Sequence, residues 1–374
     1  MEKTTSSRWQ LLWDNVKFPL LSILFAFIIG SFFIILTGNS PFVAYYALIS
    51  GSMFGVSRIG ETLLKMTPLV FTGLSIAFAF RCGLFNIGAE GQLIIGTLFT
   101  VTAGYIFRDL PSFVLIPLVL AAGALGGGLW AAIPGILKAK LGVHEVIVTI
   151  MLNYSALFLT NFFIRTSLNP STLLGTEQKA HSVILGENAR LANMSTIFPI
   201  FGNSSLHTGI FIAVAAALVI WFLLYKTTMG YEIRSVGHNP FAAEYGGISI
   251  SKNIIKSMFI SGMLAGLGGA TLVSGLTFKI DQSSASAGYG FTGIAVALVG
   301  KNHPIGVLAS ALLFGILANG ERKMQIAGIP KEVVGIIQGI IIIFIAGEAI
   351  MQYFPELKKK FKRNKTEKPE VSQK

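Results

Sequence analysis

From Phe18 to Thr37 the chain runs without a single charged side chain. A run of about 20 apolar residues is what a helix needs to cross the hydrocarbon core of a bilayer. This one starts too far from the N-terminus, and lacks the small-residue cleavage site, to be a removable signal peptide. Similar runs follow at Met66 to Phe80, Gly91 to Phe107, Pro111 to Leu137, Val146 to Ile164, Thr208 to Tyr225 and Ser257 to Phe278. The last three are Gly288 to Gly300, Pro304 to Asn319 and Val333 to Gly347. The pattern predicts an all-α membrane protein, a polytopic helical bundle of about ten transmembrane segments. Gly288 to Gly300 is too short to span alone and reads as a broken or re-entrant segment, allowed only where protein or a water-filled cavity covers its backbone.

Composition closes the other routes. Hydrophobic residues make up 53% of the chain and charged residues 12%, about half the charged share of an ordinary soluble chain. A soluble enzyme, a disulfide-stapled secreted domain and a disordered scaffold are excluded. The lone Cys82 has no partner for an internal disulfide, and no cysteine-based metal site is expected.

The net charge is +12. Lys358 to Lys374 holds eight Lys/Arg against two Glu, so half of that charge sits just past the last apolar run. A basic run there belongs beside anionic lipid on the cytoplasmic face, not on nucleic acid. The expected layout is a cytoplasmic N-terminus (residues 1–17), a transmembrane domain (18–354) and a basic cytoplasmic tail (355–374). Within the domain, residues 165–207 form an extracellular loop and 226–256 a cytoplasmic one.

Small residues recur at four-residue spacing in Gly123 and Gly127, in Gly262, Gly266 and Ala270, and in Gly335 and Gly339. Such spacing lets two helices approach until their backbones touch. The rhythm of Phe85 to Thr97 returns at Phe291 to Gly306, suggesting an internal repeat that would place a pathway at its interface.

No GxxxxGK[ST], HExxH or GxSxG occurs, so neither nucleotide phosphates nor hydrolytic chemistry find a known cradle here, and no catalytic residue, cofactor or metal ligand is expected. The spans hold no Asp and no relay of carboxylates, which disfavours an ion-coupled carrier. Polar residues near the spans are few. Asn86, Glu90 and Gln92 open a helix, with Asn86 expected as its cap and Glu90 near its positive end; they form a structural re-entrant turn or contact substrate. Asn153 and Gln338 lie within spans, and each must find a partner in another helix or a ligand. His144 and Glu145 open a helix as cap and anchor. Phe85 offers a ring on which a flat base would stack.

The loop after Lys226 reads Gly237-His238-Asn239-Pro240-Phe241-Ala242-Ala243-Glu244-Tyr245-Gly246-Gly247-Ile248. Pro240 suits a first helical turn, Asn239 its cap, and Gly246 its close. The expected product is a short helix that docks a protein. This segment resembles the coupling loop of ATP-binding-cassette importer permeases. Phe85 to Gln92, His144 to Tyr154 and Gly293 to Pro304 are similar to the nucleoside and simple-sugar branch of the branched-chain amino acid and ribose permease family. The likeness runs from about Thr62 to Gly347.

The resemblance implies a bacterial inner-membrane permease subunit that imports a nucleoside or simple sugar and is not itself an enzyme. It implies a cytoplasmic ATP-binding subunit docked on Gly237, Asn239, Pro240, Ala242, Ala243, Glu244, Gly246 and Gly247. It also implies a second permease subunit, like or unlike, and an extracytoplasmic substrate-binding protein. The alternatives are a ribose or branched-chain amino acid permease of the same family, or an ion-coupled secondary transporter. On this reading Phe85, Asn86, Glu90, Gln92, Asn153 and Gln338 line or brace the substrate pathway.

Overall fold

The computed structural model describes residues 8–283 and 288–345, with residue 347. The basic tail expected over 355–374 lies outside the described residues, as do residues 1–7 of the N-terminal segment. The chain divides into two units, residues 42–328 and the terminal stretches 1–41 with 329–374.

In the terminal unit, α1 (Arg8–Leu36) is the first span, and a shorter apolar helix, α15, covers Glu332–Ile345. Their Phe25 and Phe344 rings stack at 5.6 Å.

The larger unit begins with α2 (Pro41–Ser52) and α3 (Val56–Arg81). Next come α4 (Ala89–Ile106), α5 (Ser112–Leu141) and α6 (Glu145–Arg165). A long connection carries α7 (Pro170–Leu174) and α8 (Met194–Ile197). After α9 (Gly209–Lys226) come two short helices, α10 (Thr228–His238) and α11 (Pro240–Tyr245). Then follow α12 (Ile250–Leu272), continued by a π-helical turn over Val273–Thr277, α13 (Tyr289–Val299) and α14 (Pro304–Ile326). Each apolar run singled out in the sequence holds a helix among the described residues. Among the described residues, seven helices are long and apolar enough to cross a membrane.

Two elements depart from the sequence reading. The segment Pro41–Ser52, which was not expected to be an element, is a helix too short to span; its Ala44, Ala47 and Leu48 are buried, and the Ser52 carbonyl accepts from Thr62 Oγ1 at 2.7 Å. Helix α3 starts ten residues before Met66, because Arg58, Glu61 and Lys65 interrupt the apolar run without ending the helix. Glu61 is used there: its Oε1 accepts the Ser205 N–H at 2.7 Å, tying the start of α3 to the long connection.

Helix α3 is central, with 83% of its apolar window buried against 33% for α9. Helix α12 packs on α5, α4 and α3. The glycine spacing on α5 and α12 makes this packing possible. A methyl group at Gly127 would meet the Gly262 carbonyl, and one at Gly266 would meet the Gly123 carbonyl. The backbones touch along this seam, a contact that lipid cannot offer. At Gly335 and Gly339, with the same spacing, a methyl would meet nothing within 4 Å among the described residues.

The connection 166–208 is an ordered cap. The Ser182 N–H donates to the Ile280 carbonyl at 2.9 Å and the Leu185 N–H to the Phe278 carbonyl at 2.7 Å. Val183, Leu185 and Ala189 join Val101, Leu115 and Val119 in one apolar cluster.

Candidate functional site

Two groups of sequence-selected residues separate in the structure. The first is buried. After α3 the chain reverses at Gly83, whose φ of +76° favours glycine, and re-enters the bundle to start α4. Asn86 and Gln92 pair through both halves of their carboxamides, Nδ2 to Oε1 at 2.9 Å and Nε2 to Oδ1 at 3.0 Å. Asn86 Nδ2 also donates to Ser261 Oγ at 2.8 Å, and that hydroxyl donates to the Ser75 carbonyl at 2.6 Å. The N-cap of α4 is Gly88 rather than Asn86, which stands two residues upstream and accepts the Gly88 N–H at 3.0 Å. Asn153 reaches across from α6, accepting from the Gly91 N–H at 2.8 Å and donating to the Ile87 carbonyl at 3.0 Å.

Glu90 completes this hub. Its Oε1 accepts the Gly288 N–H at 2.8 Å, and its Oε2 accepts the Gly290 N–H. The carboxylate, 1% exposed, therefore closes the N-terminus of α13 while sitting in the first turn of α4. Two positive helix ends face one negative group, the arrangement that best stabilises a charge away from water. Gly290 is required, because a Cβ there would run into the Glu90 backbone. Helix α13 is about 16 Å long at 1.5 Å per residue, half the hydrocarbon thickness. Its first carbonyl, at Tyr289, accepts from Thr72 Oγ1 at 3.1 Å, and Thr72 lies roughly 14 Å from Arg81 along α3. The short segment is thus a half-length helix that begins inside the protein.

Phe85 is half-buried against the Phe80 ring at 5.1 Å. Gln338 is half-buried on α15, in the other unit. Ser261, which holds Asn86, and Ser75, which holds Ser261, were missed, since a serine in an apolar run carries no signal of its own. Glu145 does anchor α6, through Lys138 at 2.9 Å, but the His144 side chain makes no capping bond.

The second group is exposed. Asn239 Oδ1 accepts the Ala242 N–H at 3.1 Å, Pro240 takes the first turn, and Gly246 closes α11. The left-handed position is Gly247, at φ +82°, while Gly246 has φ −80°. Ala243 alone is buried, while Phe241 and Tyr245 stand 82% and 98% exposed. Between α10 and α11 lies a cavity of about 490 Å³ lined by Tyr231, Glu232, His238 and Ala242.

These groups are joined at Gly237, where a Cβ would strike the Arg81 carbonyl. Arg81 Nε donates to the Asn302 carbonyl at 2.8 Å. Its guanidinium and that of Arg234 lie over the Tyr225 ring at 5.9 and 5.1 Å. His303 stacks near the same ring at 5.3 Å; burial, then the Arg81 charge, hold its imidazole below the usual range. So α10, the α3–α4 turn and the α13–α14 turn meet in one cluster. Arg81, at the end of α3, thus ties that helix to the α13–α14 turn.

A bundle of apolar helices with a re-entrant turn, a half-length helix ended by a buried carboxylate, and a short capped helix at one end defines a polytopic all-α membrane protein. The chain belongs to the family described as branched-chain amino acid transport system / permease component, whose model matches residues 58–346. It is 43% identical to the guanosine ABC transporter permease protein NupP of Bacillus subtilis, over 93% of this chain and 98% of that one. It is 40% identical to the nucleoside ABC transporter permease protein NupB of Lactococcus lactis, over 90% and 92% of the two chains. A glucose ABC transporter permease protein, TsgB13 of Haloferax volcanii, is 31% identical over 89% of this chain. No solved structure matches.

Proposed function

We propose that this chain is the permease subunit of an ATP-binding-cassette importer that moves nucleosides into a bacterial cell, with ATP hydrolysed by a separate subunit. The observation that carries the reading is likeness over nearly the whole length to permeases named for guanosine and for nucleosides. The weaker likeness to a glucose permease leaves a simple sugar as the second substrate class. The chain also matches a second guanosine permease of Bacillus subtilis, NupQ, at 32% identity over 69% of this chain and 79% of that one. That supports a related but unlike chain as its membrane partner. A substrate-binding protein would deliver the nucleoside to the capped end, residues 165–207, outside the cell. Both termini and α11 would face the cytoplasm.

The exposed Phe241 and Tyr245 would dock the ATPase. Movement of α11 would pass through α10 and Gly237 to the α3–α4 turn, and so to Asn86 and the hub. Alternating access follows if that push tilts α4 against α13. Asn86, Glu90, Gln92 and Asn153 would brace the pathway, since their side-chain hydrogen bonds tie α4 and the turn before it to α6, α12 and α13.

Reconstitution with the ATPase, the second permease and the binding protein tests the reading. ATP-dependent uptake of guanosine is expected. Uptake of glucose or ribose with none of guanosine would move the chain to the sugar branch, and guanosine uptake driven by an ion gradient without ATP would sink the importer.

A further inference from the structure

Past Asn153, the outward run of α6 carries side chains that do not suit lipid. Asn161 lies eight residues on, about 12 Å along the helix. Its carboxamide is engaged with the backbone of a neighbouring extended stretch, Nδ2 donating to the Ser283 carbonyl at 2.7 Å and Oδ1 accepting the Ser283 N–H at 3.2 Å. One turn further on, Arg165 turns its guanidinium to the Gln282 carboxamide, whose oxygen, oriented to accept, lies 2.9 Å from Nε. Phe158 and Phe162 flank this polar pair with exposed rings. Together with Gln282 and Ser283 these residues bound a cavity of about 450 Å³, within the size range of small-molecule sites.

The physical conflict is specific. Non-helical backbone at Asp281 to Ser283 is followed, five residues past Ser283, by Gly288 bonded to Glu90 inside the protein. Non-helical backbone such as Asp281 to Ser283, where it lies at membrane depth, is tolerated only where it lines water or is covered by protein. A guanidinium and two carboxamides on the same face carry the same demand. The aromatic rings break the polar surface in the way a mixed ligand needs: a flat apolar face for a base, with amide and guanidinium groups for its polar edge and for ribose hydroxyls.

We propose that this cavity is an outer subsite of the translocation pathway, where a nucleoside rests between the capped end and the level of Glu90, its base against Phe158 or Phe162. The proposal rests on the nucleoside-permease reading above and adds the residues that meet the substrate.

The test uses the assembled transporter in membranes, with Cys82→Ser as background. Phe158→Cys and Phe162→Cys should each react with an impermeant thiol reagent added from outside, and guanosine should slow the reaction several-fold. Leu218→Cys, on an exposed apolar face of α9, sets the rate for a site in lipid. Reaction at both positions no faster than at Leu218→Cys, or reaction indifferent to guanosine in a transporter that takes up guanosine, overturns the subsite. Absence of guanosine uptake by the unsubstituted transporter overturns the nucleoside reading instead, and the two failures are read in separate measurements.

Discussion

The hub around Glu90 and the helix Pro240–Tyr245 were both selected from sequence as functional, and the structure treats them in opposite ways. The hub places polar side chains where water is absent and matches them with protein partners. The helix places apolar rings where water is present and leaves them unmatched. In a membrane protein the first arrangement holds a shape, and the second asks for a partner. Polarity inside the bundle therefore marks architecture as readily as it marks a ligand.

The largest effect that would separate the two regions is at Glu90. Glu90→Leu leaves the N–H groups of Gly288 and Gly290 without acceptors, at roughly 1–3 kcal/mol each. The expected result is loss of folded protein from the membrane, read by size-exclusion of a fluorescent fusion, with Glu90→Gln intermediate. A Glu90→Leu chain that accumulates normally would end the view of the hub as a brace.

Next comes the exposed pair. Phe241→Ala with Tyr245→Ala should leave the amount and melting temperature of the chain unchanged, because neither ring packs within it. Aromatic anchors at the centre of an interface are worth roughly 2 kcal/mol or more each, so the ATPase should fall away during purification. Retention of the ATPase and normal uptake would remove α11 as the docking element.

The smallest effect sharpens the comparison within α11 itself. Gly247→Ala forces a side chain into the left-handed region, at a cost of roughly 1–2 kcal/mol, and should lower transport several-fold at an unchanged level of protein. Gly246→Ala should be silent: Gly246 has φ −80° and a methyl there would make only ordinary contacts. Equal effects at both positions would mean that the turn's conformation is not what matters.

Much of this was legible in the chain because lipid leaves so few options. Long charge-free runs have to be helices, and Asn239-Pro240 with Gly246 specifies a capped helix by local chemistry alone. What the sequence hid depended on who meets whom. Gly262 and Gly266 meet the backbone of α5, while Gly335 and Gly339, at the same spacing, meet nothing within 4 Å among the described residues. Glu90 pointed to a helix N-terminus, but nothing local disclosed that the second one lay at Gly288. Asn161 passed as one more residue of an apolar run, because the stretch it binds comes 122 positions later.

The bond from Glu90 to Gly288 spans 198 positions of sequence, and this sets a problem of timing during synthesis. At about 5–20 residues per second, roughly 10–40 seconds separate the emergence of the carboxylate from that of the amides that will hold it. Through that interval α4 in its final place would hold a buried carboxyl group without those two partners. A half-length helix made late thereby completes the bonding of a helix made early.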